Sequence, residues 1–184
     1  MRRAARDDED GEAHEHPVEL EIATTADESA TIASDALRST QLVEPLSNFT
    51  VVRARREFAN QSTIGFMTTA TARRLDEFTS FLPGQAFTGG VDWDWRLTQR
   101  YAVQGYWAGS SVQGSPAAIQ ELQESTVHSF QRPDADHVEE DPTRTSLNGS
   151  AGSIAISKIG GSKVRFNSNF GYKSPGFDIN DVGF

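Results

Sequence analysis

The side chains most suited to chemistry are concentrated in one stretch, residues 130–145. Asp134, Asp136 and His137 stand there with three further acids at residues 139–141. Carboxylates and an imidazole at this density could ligate a hard divalent cation, because oxygen ligands suit Ca²⁺ and Mg²⁺. The spacing matches no calcium-loop pattern and lacks its turn glycine, and charge runs in loops are usually solvated. We therefore favour a solvated acidic loop and keep Asp134, Asp136 and His137 as candidate metal ligands.

A pair of carboxylates for glycoside hydrolysis is a second chemistry that the residue types allow. Asp92, Asp94 and the acids of residues 130–145 supply the candidates. Asp92 and Asp94 alternate with apolar residues, however, so in a barrel both would face a water-filled lumen, where polar side chains need no catalytic role. The sequence contains no P-loop, dinucleotide-binding glycine pattern, nucleophile elbow or HExxH zinc motif. No catalytic residue is assigned, and no cofactor is implied.

Five aromatic residues allow a third interpretation, the stacking of sugar rings: Trp93, Trp95, Tyr101, Tyr106 and Trp107. Transmembrane β-barrels carry girdles of aromatic residues where their strands meet the membrane interfaces, which explains the same residues without a ligand. We favour the girdle interpretation for the three tryptophans.

The elements that position these residues are predicted by period-two alternation, which is typical of strands with two chemically different faces. In the clearest example, apolar residues from Phe87 to Leu97 alternate with Asp92, Asp94 and Arg96. Seven such segments are predicted, at about residues 18–22, 49–58, 62–72, 87–97, 101–111, 147–158 and 164–172. Strands joined in this way predict an all-β fold, an antiparallel up-and-down meander.

The connections between the predicted strands alternate in length without exception. The long connections are 23–46, 73–85 and 112–146, and the short ones are 59–61, 98–100 and 159–162. Every second connection of a meander lies at the same end of the sheet, so one end carries tight turns and the other carries extended loops. Transmembrane β-barrels have this asymmetry, and the sequence therefore favours a part of such a barrel.

One short helix is predicted inside the loop 112–146. Ser115 and Pro116 provide an N-cap followed by proline at the first helical position, and apolar residues then recur at helical spacing. The helix should end near Gln131, because the residue before Pro133 disfavours helical backbone. We expect this helix to pack over the barrel mouth, in preference to binding a partner.

Composition limits the classes of protein that remain. The chain has 184 residues, no cysteine, and a formal net charge of −9 from 17 Lys and Arg and 26 Asp and Glu. This length suits one domain, and the acidity argues against a nucleic-acid partner because no basic stripe can neutralise phosphates. No stretch of about 20 apolar residues predicts a membrane-spanning helix. We interpret residues 1–17 as an acidic disordered or loop segment without an export signal.

Three separated strings resemble one bacterial family: EPLSNFTVVRARR at 44–56, FQRPDADHVEEDPTRTSLNG at 130–149 and SPGFDINDVGF at 174–184. That family is known as domain of unknown function 5916. The resemblance covers residues 18–184 and implies a partial β-barrel of the bacterial outer membrane, with the lipid bilayer as its partner. Family members commonly follow a carbohydrate-binding family-nine-like domain, which implies saccharide binding or uptake.

The members of that family are longer than this chain, with an export signal and further strands, so we expect the chain to be an internal piece of a barrel protein. Neither the residues nor the resemblance specifies an activity. Two alternatives stay open: a barrel-borne hydrolase that uses the acids of residues 130–145, and a soluble β-sandwich that acts as a binding module.

Overall fold

The computed structural model describes residues 19–34, 37–134, 136–161 and 163–179. In these ranges the chain forms β1 (Glu19–Thr24), β2 (Glu28–Ser34), β3 (Leu37–Glu44), β4 (Ser47–Glu57), β5 (Thr63–Arg73), β6 (Gln85–Arg96), β7 (Tyr101–Gln113), α1 (Pro116–Glu124), β8 (Ser146–Lys158) and β9 (Phe166–Lys173). The described fold is all-β with one short helix, as predicted. The predicted acidic segment 1–17 lies outside the described residues. Within the described ranges, no helix combines the length and the apolarity needed to cross a membrane.

Seven of the strands form one antiparallel sheet in the order β1-β4-β5-β6-β7-β8-β9. From β4 onward each strand pairs with the next strand along the chain, so the predicted meander is confirmed. The ladders are long: β6 and β7 pair from Gln85↔Gln113 to Arg96↔Ala102 without a register shift. Such continuous pairing keeps successive side chains strictly on opposite faces of the sheet.

The segment 23–46, predicted as a plain connection, instead contains the antiparallel hairpin β2–β3. This hairpin continues the β1–β4 pair. The Thr25 amide donates to the carbonyl of Ser47 at 2.9 Å, and the Leu46 amide donates to the carboxylate of Asp27 at 2.6 Å. Apolar residues stand side by side at 32–33 and at 42–43, so the sequence lacks the strict alternation by which strands are recognised.

The connections of the sheet alternate between long and short, as predicted. Residues 25–46, 74–84 and 114–145 form the long connections, and residues 58–62, 97–100 and 159–165 form the short ones. Local hydrogen bonds tighten the short turns. Gln61, with a φ of 64°, donates its amide to the Phe58 carbonyl, and the Thr98 hydroxyl accepts from the Arg100 amide. Because every second connection of a meander lies at the same end, the three long connections share one end of the sheet.

The register gives the sheet two chemically opposite faces. The apolar face carries large side chains that are 38–70% exposed: Ile22, Ile64, Phe66, Phe87, Val91, Trp95, Tyr101, Trp107, Ile154, Ile156, Phe166, Phe170 and Tyr172. The polar face carries charged and amide side chains: Arg53, Arg55, Asp92, Asp94, Arg96, Gln104, Asn167 and Asn169. Most charged side chains and most large exposed apolar side chains of the sheet thus lie on opposite faces, and the charged residues Arg56 and Lys158 stand on the apolar face near the short turns.

The buried core lies at one end of the polar face, where α1 covers the sheet near the long connections. Ile119 and Phe130 pack there against Val112 and Leu147. The helix begins as predicted, with the Ser115 hydroxyl accepting from the Ala118 amide at 3.1 Å.

The predicted end of α1 near Gln131 is wrong, because the helix ends at Glu124. Ser129 has a φ of 51°, a left-handed conformation that a helix cannot accommodate. The Phe130 amide donates to the Gln123 carbonyl at 2.9 Å, so the chain folds back over the end of the helix and brings the Phe130 ring into the core.

Candidate functional site

The polar face holds charged side chains in contact with one another. On β6, Asp92 lies 3.9 Å from the guanidinium of Arg53, and Asp94 lies 3.6 Å from that of Arg96. Gln104 on β7 donates its amide to the second oxygen of Asp94 at 2.9 Å. The four charged side chains are 30–42% exposed, so both signs of charge are available to a polar solute.

A glycine makes room for Asp92 on this face. Gly65 on β5 is the register partner of Asp92, and a methyl group at Gly65 would collide with the Asp92 carboxylate. The carboxylate therefore lies across the neighbouring strand toward Arg53 on β4, where an alanine in place of Gly65 would displace it.

A groove of about 250 Å³ runs across the centre of the polar face, between the charged pairs and the covered end. The groove is lined by the guanidinium of Arg53 and by the apolar side chains of Met67 and Ile179. Arg53 donates to the sulfur of Met67 at 3.6 Å. The hydroxyl of Thr69 in the lining is buried without a hydrogen-bond partner among the described residues. The groove therefore combines an apolar wall with unsatisfied polar groups.

The candidate aromatic platforms are divided between the two faces. Trp93, Trp95, Tyr101 and Trp107 lie on the apolar face, whereas Tyr106 is the register partner of Asp92 and lies on the polar face. Trp93 packs over a glycine of β7: a methyl group at Gly105 would come within 2.6 Å of its ring. Tyr106 is therefore the aromatic residue of this set that can meet a solute beside the charged pairs.

The acidic loop is held by neighbouring polar side chains. Both carboxylate oxygens of Asp134 accept from Arg132, at 3.0 and 2.7 Å, and Glu140 accepts from Gln120 at 2.9 Å. The side chains of Asp136 and His137 are exposed. In the part of the chain that the structure describes, no three His, Asp or Glu side chains form a group that could hold a metal ion. The metal role of Asp134, Asp136 and His137 stays a prediction.

A buried ion pair, which the sequence analysis missed, joins this loop to the residues after β9. His128 Nε2 lies 2.7 Å from a carboxylate oxygen of Asp178, and His128 Nδ1 lies 2.6 Å from the carbonyl oxygen of Pro175. The two side chains are 0% and 1% exposed. The hydrogen bond with the Asp178 carboxylate raises the pKa of His128 above its ordinary value.

Residues 174–179, which we call the strap, lie back over the polar face. The Asp178 amide donates to the hydroxyl of Ser110 on β7 at 2.9 Å, and Ile179 reaches the groove. The approach is so close that a methyl group at Gly149 of β8 would collide with the backbone of Phe177. No motif indicates this contact, because His128 and Asp178 are 50 residues apart.

The imidazole of His128 does not belong to a catalytic triad. Both of its nitrogens are occupied, by Asp178 and by the Pro175 carbonyl, so neither can accept a proton from a nucleophile. The Ser110 hydroxyl accepts from the Asp178 amide, whereas the hydrogen bonds of the imidazole go to Asp178 and to the Pro175 carbonyl. This cluster is therefore suited to holding the strap in place.

Comparison with known proteins yields one match. A family model described as "Domain of unknown function (DUF5916)" matches residues 20–184. No curated protein and no solved structure matches the chain. The matched residues include every described strand of the sheet except the first residue of β1.

Proposed function

This chain belongs to the DUF5916 family, and we propose that its sheet forms consecutive strands of a β-barrel in a bacterial outer membrane. The observation that carries the proposal is the apolar face. Large aliphatic and aromatic side chains that are at least 38% exposed lie on it, and they come from all seven strands of the sheet except β4. Soluble monomers rarely expose contiguous apolar patches of this extent, whereas the lipid-facing surface of a barrel requires them.

The polar face and the connections support the same proposal. In a barrel the face opposite the lipid lines the lumen, where charged pairs such as Arg53–Asp92 and Arg96–Asp94 meet water. The long connections share one end of the sheet, and α1 covers the polar face at that end. In this arrangement α1 fills part of the barrel mouth and the short turns face the opposite side of the membrane.

The open edges of the sheet add a requirement to the proposal. Among the described residues, the outer edges of β1 and β9 pair with no other strand. An unpaired backbone group in lipid costs several kcal/mol, so the barrel needs additional strands on both edges. We propose that the complete barrel supplies them.

Gel mobility of the full-length protein, recovered from cells with detergent, tests the proposal. We expect fractionation to place the protein in the outer membrane, and we expect its band to shift on boiling, because a closed barrel resists unfolding by the gel detergent without heat. A protein that stays monomeric in water without detergent, with the same mobility before and after boiling, would contradict the barrel.

We further propose that the polar face binds or passes saccharides. Support comes from the side chains beside the groove: the carboxylates of Asp92 and Asp94, the amide of Gln104 and the 45%-exposed ring of Tyr106. Carboxylates and amides can accept and donate hydrogen bonds to sugar hydroxyls, and the ring offers an apolar surface.

Titration with a neutral maltohexaose, followed by NMR of labelled aromatic rings, tests the saccharide proposal. We expect resonance shifts for Tyr106 and none for Trp107, its chain neighbour on the opposite face. Absence of a shift at Tyr106, or equal shifts at Tyr106 and Trp107, would remove the polar face as the saccharide site.

A further inference from the structure

We propose that the strap is a proton-controlled cover of the groove: with His128 protonated the strap is locked onto the polar face, and loss of that proton releases it. The inference goes beyond the barrel proposal, because it concerns contacts within the polar face. It holds whether or not the sheet lies in a membrane.

The geometry around His128 requires a proton on each ring nitrogen. Nδ1 faces the carbonyl oxygen of Pro175 at 2.6 Å, and Nε2 faces the carboxylate of Asp178 at 2.7 Å. Both partners are acceptors, and a neutral imidazole has a single N–H to donate. The side chains of His128 and Asp178 are at most 1% exposed, so the ring nitrogens themselves are shielded from water. Loss of the proton therefore leaves one shielded ring nitrogen facing an acceptor oxygen with no hydrogen between them, and the contact turns from attractive to repulsive.

The charged groups near His128 come from three parts of the chain. Asp178 of the strap is in direct contact, Lys173 at the end of β9 acts at longer range, and Arg144 lies over the Phe130 ring that faces the imidazole edge-on. The hydrogen bond with Asp178 has the largest effect and raises the pKa of His128, while burial and Lys173 oppose it. The negative partner thus outweighs the positive neighbour.

The sign of the pH dependence follows from this direction. The folded-state pKa of His128 lies above the ordinary value of 6.5. The lock, meaning the hydrogen bonds of His128 with Asp178 and Pro175, therefore contributes its full stability below pH 6.5. Its contribution is lost as the pH rises through the higher, folded-state pKa. The strap is therefore locked in mildly acidic solution and released in alkaline solution.

The contacts of the strap determine which part moves. Ser174 stays bound to Ser150 of β8 by two hydrogen bonds, from its own amide to the Ser150 carbonyl and from the Ser150 amide to its hydroxyl, both at 2.8 Å. The residues beyond it are held by the His128 contacts, by the bond from the Asp178 amide to Ser110, and by the buried ring of Phe177 beneath Lys173. When the strap is released, Ser174 therefore stays in place, the residues after it move away from the sheet, and Ile179 leaves the groove.

Thiol accessibility measures the cover directly, because the chain has no cysteine of its own. A108C places a thiol in the groove lining, and S153C places a control thiol on the same face, on β8. Alkylation by iodoacetamide is measured in the full chain from about pH 6 to about pH 9, and the A108C rate is divided by the S153C rate. We expect this ratio to rise severalfold from the acidic to the alkaline end of the range, because the locked fraction falls as His128 loses its proton.

Asp178→Asn is the matched control for the lock. Its side-chain amide can donate to the unprotonated Nε2 of His128 while Nδ1–H still donates to Pro175, so the lock no longer needs the extra proton. We expect a ratio that does not change with pH in this background. A flat ratio in the chain that retains Asp178, or the same rise in both backgrounds, would overturn the proposal.

Hydrogen exchange provides a measurement that needs no substitution. After correction for the intrinsic pH dependence of exchange, the amide of Asp178 should lose protection severalfold over the same pH range, while the amide of Ser174 keeps its protection. Equal protection of Asp178 at both ends of the range would contradict a proton-controlled strap, even if the variants fail to fold.

Discussion

Trp107→Lys should lower the free energy of unfolding in a phospholipid bilayer by about 2–4 kcal/mol, the cost of a lysine at the lipid-facing midplane of a barrel. Trp107 lies in the middle of β7 on the apolar face and is 49% exposed, so in the proposed barrel the ammonium group would replace an aromatic ring that faces lipid. Urea unfolding of the full-length protein in vesicles, followed by gel mobility, measures the change.

Two matched variants separate the lipid contact from other effects of the substitution. Tyr106→Lys changes the adjacent residue, which is 45% exposed on the polar face beside Asp92, and should leave the free energy of unfolding within about 1 kcal/mol. Trp107→Leu removes the ring without adding charge and should cost less than Trp107→Lys. Equal effects of lysine on the two faces would show that lipid does not meet the apolar face.

Ile119→Ala should lower the free energy of unfolding by about 2–5 kcal/mol, the usual cost of a cavity in a core. Ile119 is fully buried in α1 and packs against Val112, Phe130 and Leu147. Alanine favours helix, so the loss comes from removed contacts and the remaining cavity, with no penalty in helix propensity. Denaturant unfolding of the full-length protein, together with hydrogen exchange of the amides of α1, measures the change.

Glu121→Ala is the matched control in the same helix. Glu121 is exposed, so its truncation should change the free energy of unfolding by no more than about 0.5 kcal/mol. If Ile119→Ala were as mild as Glu121→Ala, the packing of α1 against the sheet would not contribute to the stability of the protein.

Strands with two different environments can be predicted from the sequence. On β6, Val91 and Trp95 occupy one face while Asp92 and Asp94 occupy the other, and this contrast appears as strict alternation along the chain. The ends of the strands follow from the turns, because Thr98 and Gln61 belong to short connections with characteristic hydrogen bonds or backbone angles. The meander and the alternation of its connections therefore needed no three-dimensional information.

Elements without such a contrast could not be predicted. In the hairpin β2–β3 apolar residues stand side by side at 32–33 and at 42–43, so its sequence does not show the alternation of a strand. Residue type alone also groups Tyr106 with Trp107, and the register places the two rings on opposite faces. The pair of His128 and Asp178 depends on how the loop and the strap return to the same end of the sheet, and this tertiary path leaves no local pattern.

The meander also determines the order in which the molecule can assemble. Apart from β1 and β4, neighbouring strands of the sheet are consecutive in the chain, so each pairing closes one connection and extends a surface that already exists. The connection 114–145 is the longest of these, but the entropy of closing a loop grows only slowly with its length. The strap can dock only on a surface built from β7 and β8, so its docking comes late and marks the completion of this part of the fold.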